Sequence, residues 1–271
     1  MILLQFFSWI YGLEINSESD LLALADKKDF SFVFKLFIGM NHIFTFIAFP
    51  CIFILLFYTN NIKKYLHFRA FNPLLLILLP LALFSLYPLM VLLTQMMDKI
   101  NLPEFLTGLD ENALESMSRL LTMDNITELM INIFLIGIIP GIGEELLFRG
   151  IIQKELFSFF KNYHLAIWVT ALIFGVFHFQ IVGFPSKMII GLVLGYSYYY
   201  SANLLVPMFL HALNNSLATV SFYIFKAQQD IPSSTTDNIS VWPAIAATCI
   251  FFWLLKNIQS LSLLNADIDE Q

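Results

Sequence analysis

Apolar runs separated by short polar intervals dominate the chain. Seven of them, at residues 34–58, 73–97, 129–143, 165–182, 188–201, 205–225 and 241–256, predict membrane-spanning helices, because a helix crosses the hydrocarbon core with about 20 mostly apolar residues. The pattern therefore predicts an all-α, polytopic transmembrane bundle of seven or eight spans. The N-terminal stretch MILLQFFSWIYGLEIN is apolar but short and has no basic region or small-residue cleavage site, so it is expected to lie in the interface rather than to act as a cleaved signal. The longest polar interval, residues 98–128, predicts a small amphipathic helix on the membrane surface. There is no internal repeat. One integrated membrane domain is expected, in three stretches: 1–128 with two spans and a polar extracytoplasmic loop, 129–225 with most of the unusual polar residues, and 226–271 with the last span and a short polar cytoplasmic tail.

Composition agrees: of 271 residues, 58% are apolar and 13% charged, with a mean hydropathy of +0.76, where soluble domains carry about a quarter charged residues. Cys51 and Cys249 each sit in an apolar run and form no redox or metal motif. The net charge of −6 comes mainly from loops and tail, and with no basic stripe a nucleic-acid partner is excluded. Lys63, Lys64 and Arg69 follow the first span and Arg149, Lys154 and Lys161 follow the third, whereas the 98–128 interval and the loop around Asp230 and Asp237 are acidic. The positive-inside rule then puts the N-terminus outside, the C-terminus inside and the Arg149–Lys161 region on the cytoplasmic side. Lys187 does not fit this scheme, and Lys27 and Lys28 are offset only by nearby acids. Gly191 and Gly195, four apart, predict a close approach of one helix face to a neighbour.

Charged side chains inside a membrane are expensive and tend to face the protein interior at functional sites. Three groups stand out: Glu144, Glu145 and Arg149; His178; and His211 with Asn214 and Asn215. Glu145 and Arg149, four apart, share a helix face and can pair, while Glu144 is turned about 100° away and is left for chemistry. Alone, each group has a plain reading: a charged helix end at the interface, a hydrogen-bonded packing histidine, an asparagine joining helices. His42 is a further intramembrane histidine without a partner pattern.

Depth brings the groups together. With a helical turn near Asn162, Glu144 and His178 lie 18 and 16 residues from it, roughly 25 Å each at 1.5 Å per residue. His211, nine residues past Ala202, is about 13 Å in, and a hairpin projecting by about eight residues removes that mismatch. A carboxylate and a histidine around one water make a general base and its orienting partner. A second histidine and a carboxamide can stabilise an oxyanion, or the Glu and two His can hold a divalent metal. No HExxH helix and no serine or cysteine nucleophile motif is present, so water-mediated hydrolysis of an amide is the chemistry these residues suit.

The stretches GEELLFRG, FGVFH and HALNN resemble, in order, the EExxxR, FxxxH and HxxxN motifs of the CPBP family. Its members are the CAAX-protease and bacteriocin-processing intramembrane endopeptidases, also called the Abi family or type II CAAX prenyl endopeptidases. The resemblance covers about residues 129–225; the N-terminal part carries no matching motif. It implies that Glu144 is the catalytic base, that His178 positions or polarises the water, and that His211 and Asn215 form the oxyanion hole. Glu145 and Arg149 would brace the helix and Phe174 would pack near the site. It also implies a substrate that is a membrane-embedded or lipid-anchored peptide or protein. The family is described both as metal-independent glutamic proteases and as metalloproteases, in which case Glu144, His178 and His211 would hold a divalent ion such as zinc. With no targeting extension in the sequence, a bacterial cytoplasmic membrane is the expected location. A non-catalytic scaffold or immunity protein would have no use for Glu144, and a proton-coupled transporter would favour inverted repeats that the sequence lacks.

Overall fold

The computed structural model describes residues 31–66, 68–227 and 240–269, so the expected interfacial N-terminal segment and the acidic loop around Asp230 and Asp237 lie outside the described residues. Among the described residues the chain is an all-α polytopic membrane bundle. Its helices are α1 (Phe32–Phe57), α2 (Ile62–Leu66), α3 (Leu75–Asp98), α4 (Glu104–Leu120), α5 (Ile126–Phe160), α6 (Tyr163–Val176), α7 (Phe184–Ser201), α8 (Leu205–Ala227) and α9 (Val241–Asp269). Four of them, α1, α3, α5 and the Val241–Leu261 part of α9, are long and apolar enough to cross a bilayer. The expected spans at 188–201 and 205–225 are α7 and α8, which carry Lys187 and the polar stretch from His211 to Asn215.

Two boundaries differ from the sequence reading. The span expected at 129–143 does not end there: α5 runs unbroken for 35 residues to Phe160. It stops where Lys161 adopts a left-handed conformation at φ 54°, and α6 restarts with the Asn162 side chain accepting the Leu165 N–H at 3.1 Å, an N-cap that satisfies one orphan donor of the first turn. The span expected at 165–182 ends at Val176. Phe179 has φ 51°, a conformation that L side chains seldom adopt, and the chain turns there into α7. At 1.5 Å per residue α6 is about 21 Å long, short of the about 30 Å hydrocarbon thickness, so His178 sits on the α6–α7 turn and not on a helix.

The polar interval forms the amphipathic helix α4 as expected. It is tied to the bundle by Asp110, which accepts the Val182 N–H at 3.2 Å on the α6–α7 turn. The interior is apolar where α3, α5, α6, α7, α8 and α9 meet, around Leu83, Phe148, Phe174, Leu194, Leu210 and Leu254. Large apolar side chains such as Leu56, Ile77, Trp168 and Trp253 point outward, as a lipid-facing surface requires. Gly191 and Gly195 approach α6 closely: a Cβ added there would lie 3.1 Å from Ala171 Cα and 2.8 Å from Ile167 Cγ2.

Candidate active site

The stretch of α5 that delivers the carboxylates is loosened before it reaches them. Pro140 has no N–H to donate to the carbonyl of Ile136 four residues earlier, and a π-helical turn at Ile133–Ile138 takes up the mismatch. Such turns recur at functional sites. The Ile136 carbonyl instead accepts from Asn215 Nδ2 of α8 at 3.4 Å. One residue beyond Pro140, a Cβ on Gly141 would meet the backbone N and Cα of Ala212 at 2.6 and 2.7 Å, so α5 and α8 touch through backbone one turn from Glu144 and beside His211. Gly141→Ala is accordingly expected to force these helices apart, lowering stability by about 1–3 kcal/mol and reducing activity. Gly108→Ala, where nothing lies within 4 Å, is expected to leave the melting temperature in detergent unchanged or slightly raised. Equal melting temperatures for the two variants would contradict the close approach.

Beyond the glycines the polar groups interlock. Glu145, Arg149 and His211 are buried. Arg149 Nη1 donates to Glu145 Oε1 at 2.7 Å and Nη2 to the Gly191 carbonyl at 2.6 Å, while its guanidinium lies 5.1 Å from the Phe174 ring centre. His211 Nδ1 lies 2.8 Å from the same Glu145 Oε1. A carboxylate only accepts, so this nitrogen carries the proton and the other, Nε2, faces away from Glu145. Glu145 therefore does more than brace α5: it fixes the tautomer and orientation of a histidine on α8, as a carboxylate does in other carboxylate–histidine pairs. Asn214 accepts from Tyr87 Oη of α3 at 2.9 Å and donates to Asn215 Oδ1 at 3.1 Å, which holds the Asn215 amide in place.

Glu144 is the carboxylate without a cation in contact. Its Oε2 is 4.0 Å from His211 Nε2 and its Oε1 is 3.5 Å from His42 Nε2, with 13% of the side chain exposed. Glu144 Oε2, Glu145 Oε2 and His42 Nε2 are buried without a hydrogen-bond partner, so the site holds polar capacity that a water or a substrate group can fill. Lys187, which did not fit the charge asymmetry of the loops, lies half-buried in the first turn of α7.

The sequence reading paired Glu144 with His178. In the structure His211 and His42 each bring Nε2 within 4.0 Å of Glu144, and His178 Nδ1 donates to the Phe174 carbonyl at 2.8 Å, a contact that leaves its Nε2 free. Ending α6 at Val176 is the reason: His178 rides on the turn, its ring 4.7 Å from the Phe174 ring, which lies 5.7 Å from the His211 ring on its other contact. His42, taken as a histidine without partners, is the residue that the sequence reading missed. Its signal was its type and depth alone, because the partner is a hundred residues away on another helix.

Glu144, His178 and His211 are the side chains that would hold a divalent ion if the site takes one, each histidine through Nε2. His211 Nδ1 and His178 Nδ1 are engaged by Glu145 and the Phe174 carbonyl, which leaves both Nε2 atoms free of those contacts; among the described residues no three His, Cys, Asp or Glu side chains are grouped closely enough to hold a metal without movement. A separate cavity of about 380 Å³ lies further along α5, lined by Arg69, Gln153, Lys154, Tyr163, Tyr198 and Tyr199; it does not include the carboxylates.

Residues 126–217, which contain all three motifs, match the family described as type II CAAX prenyl endopeptidase Rce1-like. Among curated proteins the chain is similar to the membrane-embedded CAAX protease MroQ of Staphylococcus aureus (strain USA300), at 30% identity over 93 residues, 32% of this chain and 38% of that protein. It is also similar to the uncharacterized protein YpbD of Bacillus subtilis (strain 168), at 31% identity over 84 residues, 30% of this chain and 40% of that protein. The chain thus matches about two fifths of the length of these relatives. No solved structure matches it significantly. The protein is an integral membrane protein, and over the matched segment it is similar to the Rce1-like CAAX endopeptidases.

Proposed function

We propose that this chain is an intramembrane endopeptidase that hydrolyses a peptide bond in a membrane-embedded or lipid-anchored peptide or protein. The observation that carries this reading is the placement of His211 between the two carboxylates, oriented by Glu145 and turned toward Glu144. A water bridging Glu144 Oε2 and His211 Nε2 gives up a proton to Glu144 while its oxygen attacks the substrate carbonyl. The tetrahedral intermediate collapses by breaking the C–N bond, and the proton on Glu144 passes to the leaving amine. The products are a carboxylic acid and an amine, with Glu144 returned to its carboxylate form.

Asn215 has two amide N–H groups. One reaches the Ile136 carbonyl, and the other is available to the oxyanion. The proton taken by Glu144 can pass to His211 Nε2, which then donates to the same oxygen with its charge balanced by Glu145 before that proton reaches the leaving amine. His178 shapes the far wall of the site from the α6–α7 turn. The cationic loops suggest that the site opens toward the cytoplasmic face of a bacterial inner membrane.

The test is cleavage of a membrane-anchored peptide library by the purified protein in detergent or vesicles, with sites mapped by mass spectrometry. No cleavage of any member by folded wild-type protein would overturn the reading. In the same assay a chelator is expected to leave the rate unchanged, since no step above uses a metal. A loss that zinc restores would replace the water-activation step with a metal-dependent one.

A further inference from the structure

We infer that His42, on α1 and outside the segment matched by the family, is a positioning residue that holds the carboxylate of Glu144 for catalysis. The inference rests on the assignment of Glu144 as the base. A carboxylate turns easily about its last side-chain torsion, which has broad, two-fold minima. Glu144 is faced by one imidazole nitrogen on each oxygen: His42 Nε2 at 3.5 Å from Oε1 and His211 Nε2 at 4.0 Å from Oε2. Since Glu145 leaves His211 Nε2 without a proton in the neutral ring, the donor toward Glu144 is His42, as the tautomer with its proton on Nε2. A movement of a few tenths of an ångström brings that contact into hydrogen-bond range. It fixes the plane of the carboxylate and aims Oε2 at the water between Glu144 and His211.

The surrounding structure is built to hold His42 there. A Cβ on Gly143 would lie 2.9 Å from Phe46 Cβ, so the glycine next to Glu144 is what lets α1 approach. Phe46 in turn stacks on His42, ring centres 4.3 Å apart at an interplanar angle of 23°. A π-helical turn at Phe44–Ala48 begins two residues after His42, another such turn beside this site with those at Ile133–Ile138 and Phe148–Ile152. His42 Nε2 and Glu144 Oε2 are both buried polar atoms lacking a hydrogen-bond partner, which native proteins leave in place only where something is to occupy the gap.

The test compares His42→Phe, which keeps a ring against Phe46 but removes the donor, with His42→Gln, whose amide nitrogen reaches about where Nε2 lies. On a fluorogenic farnesylated peptide, or on whichever library peptide the wild type cleaves, His42→Phe is expected to lower kcat about 10- to 100-fold with KM unchanged, as loss of an orienting partner does elsewhere. His42→Gln is expected to recover most of that loss. Equal kcat in His42→Phe and wild type, or a Gln variant as slow as the Phe variant, would overturn the inference.

A double-mutant cycle on melting temperature in detergent needs no substrate. His42→Phe is expected to lower the melting temperature of the wild type but not of Glu144→Met. Additive shifts would mean that His42 only packs and would overturn the inference even if no peptide is cleaved. Cleavage surviving in Glu144→Gln would remove the base and leave the coupling to stand or fall on the cycle.

Discussion

Glu144→Gln should abolish peptide cleavage, by about 10³-fold or more, and yield a protein that melts no lower than the wild type. The first half follows from the general base: positioned proton transfer typically contributes about 10²–10⁴-fold, and a carboxamide cannot take the proton of the attacking water. The second half follows from the surroundings. Glu144 sits beside Glu145, and its Oε2 has no hydrogen-bond donor. The Nε2 of neutral His211, 4.0 Å away, is an acceptor. A glutamine there removes one negative charge from a buried like-charge pair and offers an N–H to the imidazole. Residues kept for catalysis at the expense of local stability commonly behave in this way. The measurement pairs thermal unfolding in detergent with cleavage by the same preparation. Wild-type activity in the variant would take Glu144 out of its role, whereas a drop of many degrees in melting temperature would mean that the carboxylate is structural.

How far the sequence alone leads here depends on sequence separation. The Glu145–Arg149 pair is an i, i+4 relation on one helix, and it is present as the spacing says. Gly191 and Gly195 likewise report a close helix approach through local spacing. The motifs at Glu144, His178 and His211 lie within the segment that matches the Rce1-like family. What spacing could not supply is which side chains meet across helices. Depth arithmetic placed Glu144 beside His178 by assuming straight helices, and a positive φ at Phe179 with an early end to α6 moved that histidine onto a turn. A further imidazole beside Glu144, that of His42, lies on α1 some hundred residues upstream, where no periodic pattern links it to Glu144.

Polar satisfaction would have narrowed the choice. Pro140 leaves a carbonyl without its usual donor, and the helix facing it carries two adjacent asparagines, one of which takes that carbonyl.

Arg149→Met is the variant expected to damage the fold most. Arg149 is fully buried and spans α5, α6 and α7 at once, through Glu145, the Phe174 ring and the Gly191 carbonyl. Removing one partner of a buried ion pair leaves the other uncompensated, at about 3–5 kcal/mol, and here Gly191 also loses a donor. Arg149→Lys is not expected to rescue it, because a single ammonium on a shorter reach cannot serve Glu145 and Gly191 together. Glu145→Gln combined with Arg149→Met removes both charges and is expected to melt well above Arg149→Met alone, since an apolar replacement of a whole buried pair is often tolerated. That double variant should nevertheless stay slow in cleavage, because the carboxylate that orients His211 is gone. Melting temperature would thus separate from activity: recovered folding without recovered catalysis locates the role of Glu145 in the orientation of the histidine. A double variant no more stable than Arg149→Met would show that the guanidinium stabilises the bundle through Gly191 and Phe174 and that Glu145 contributes little to that effect.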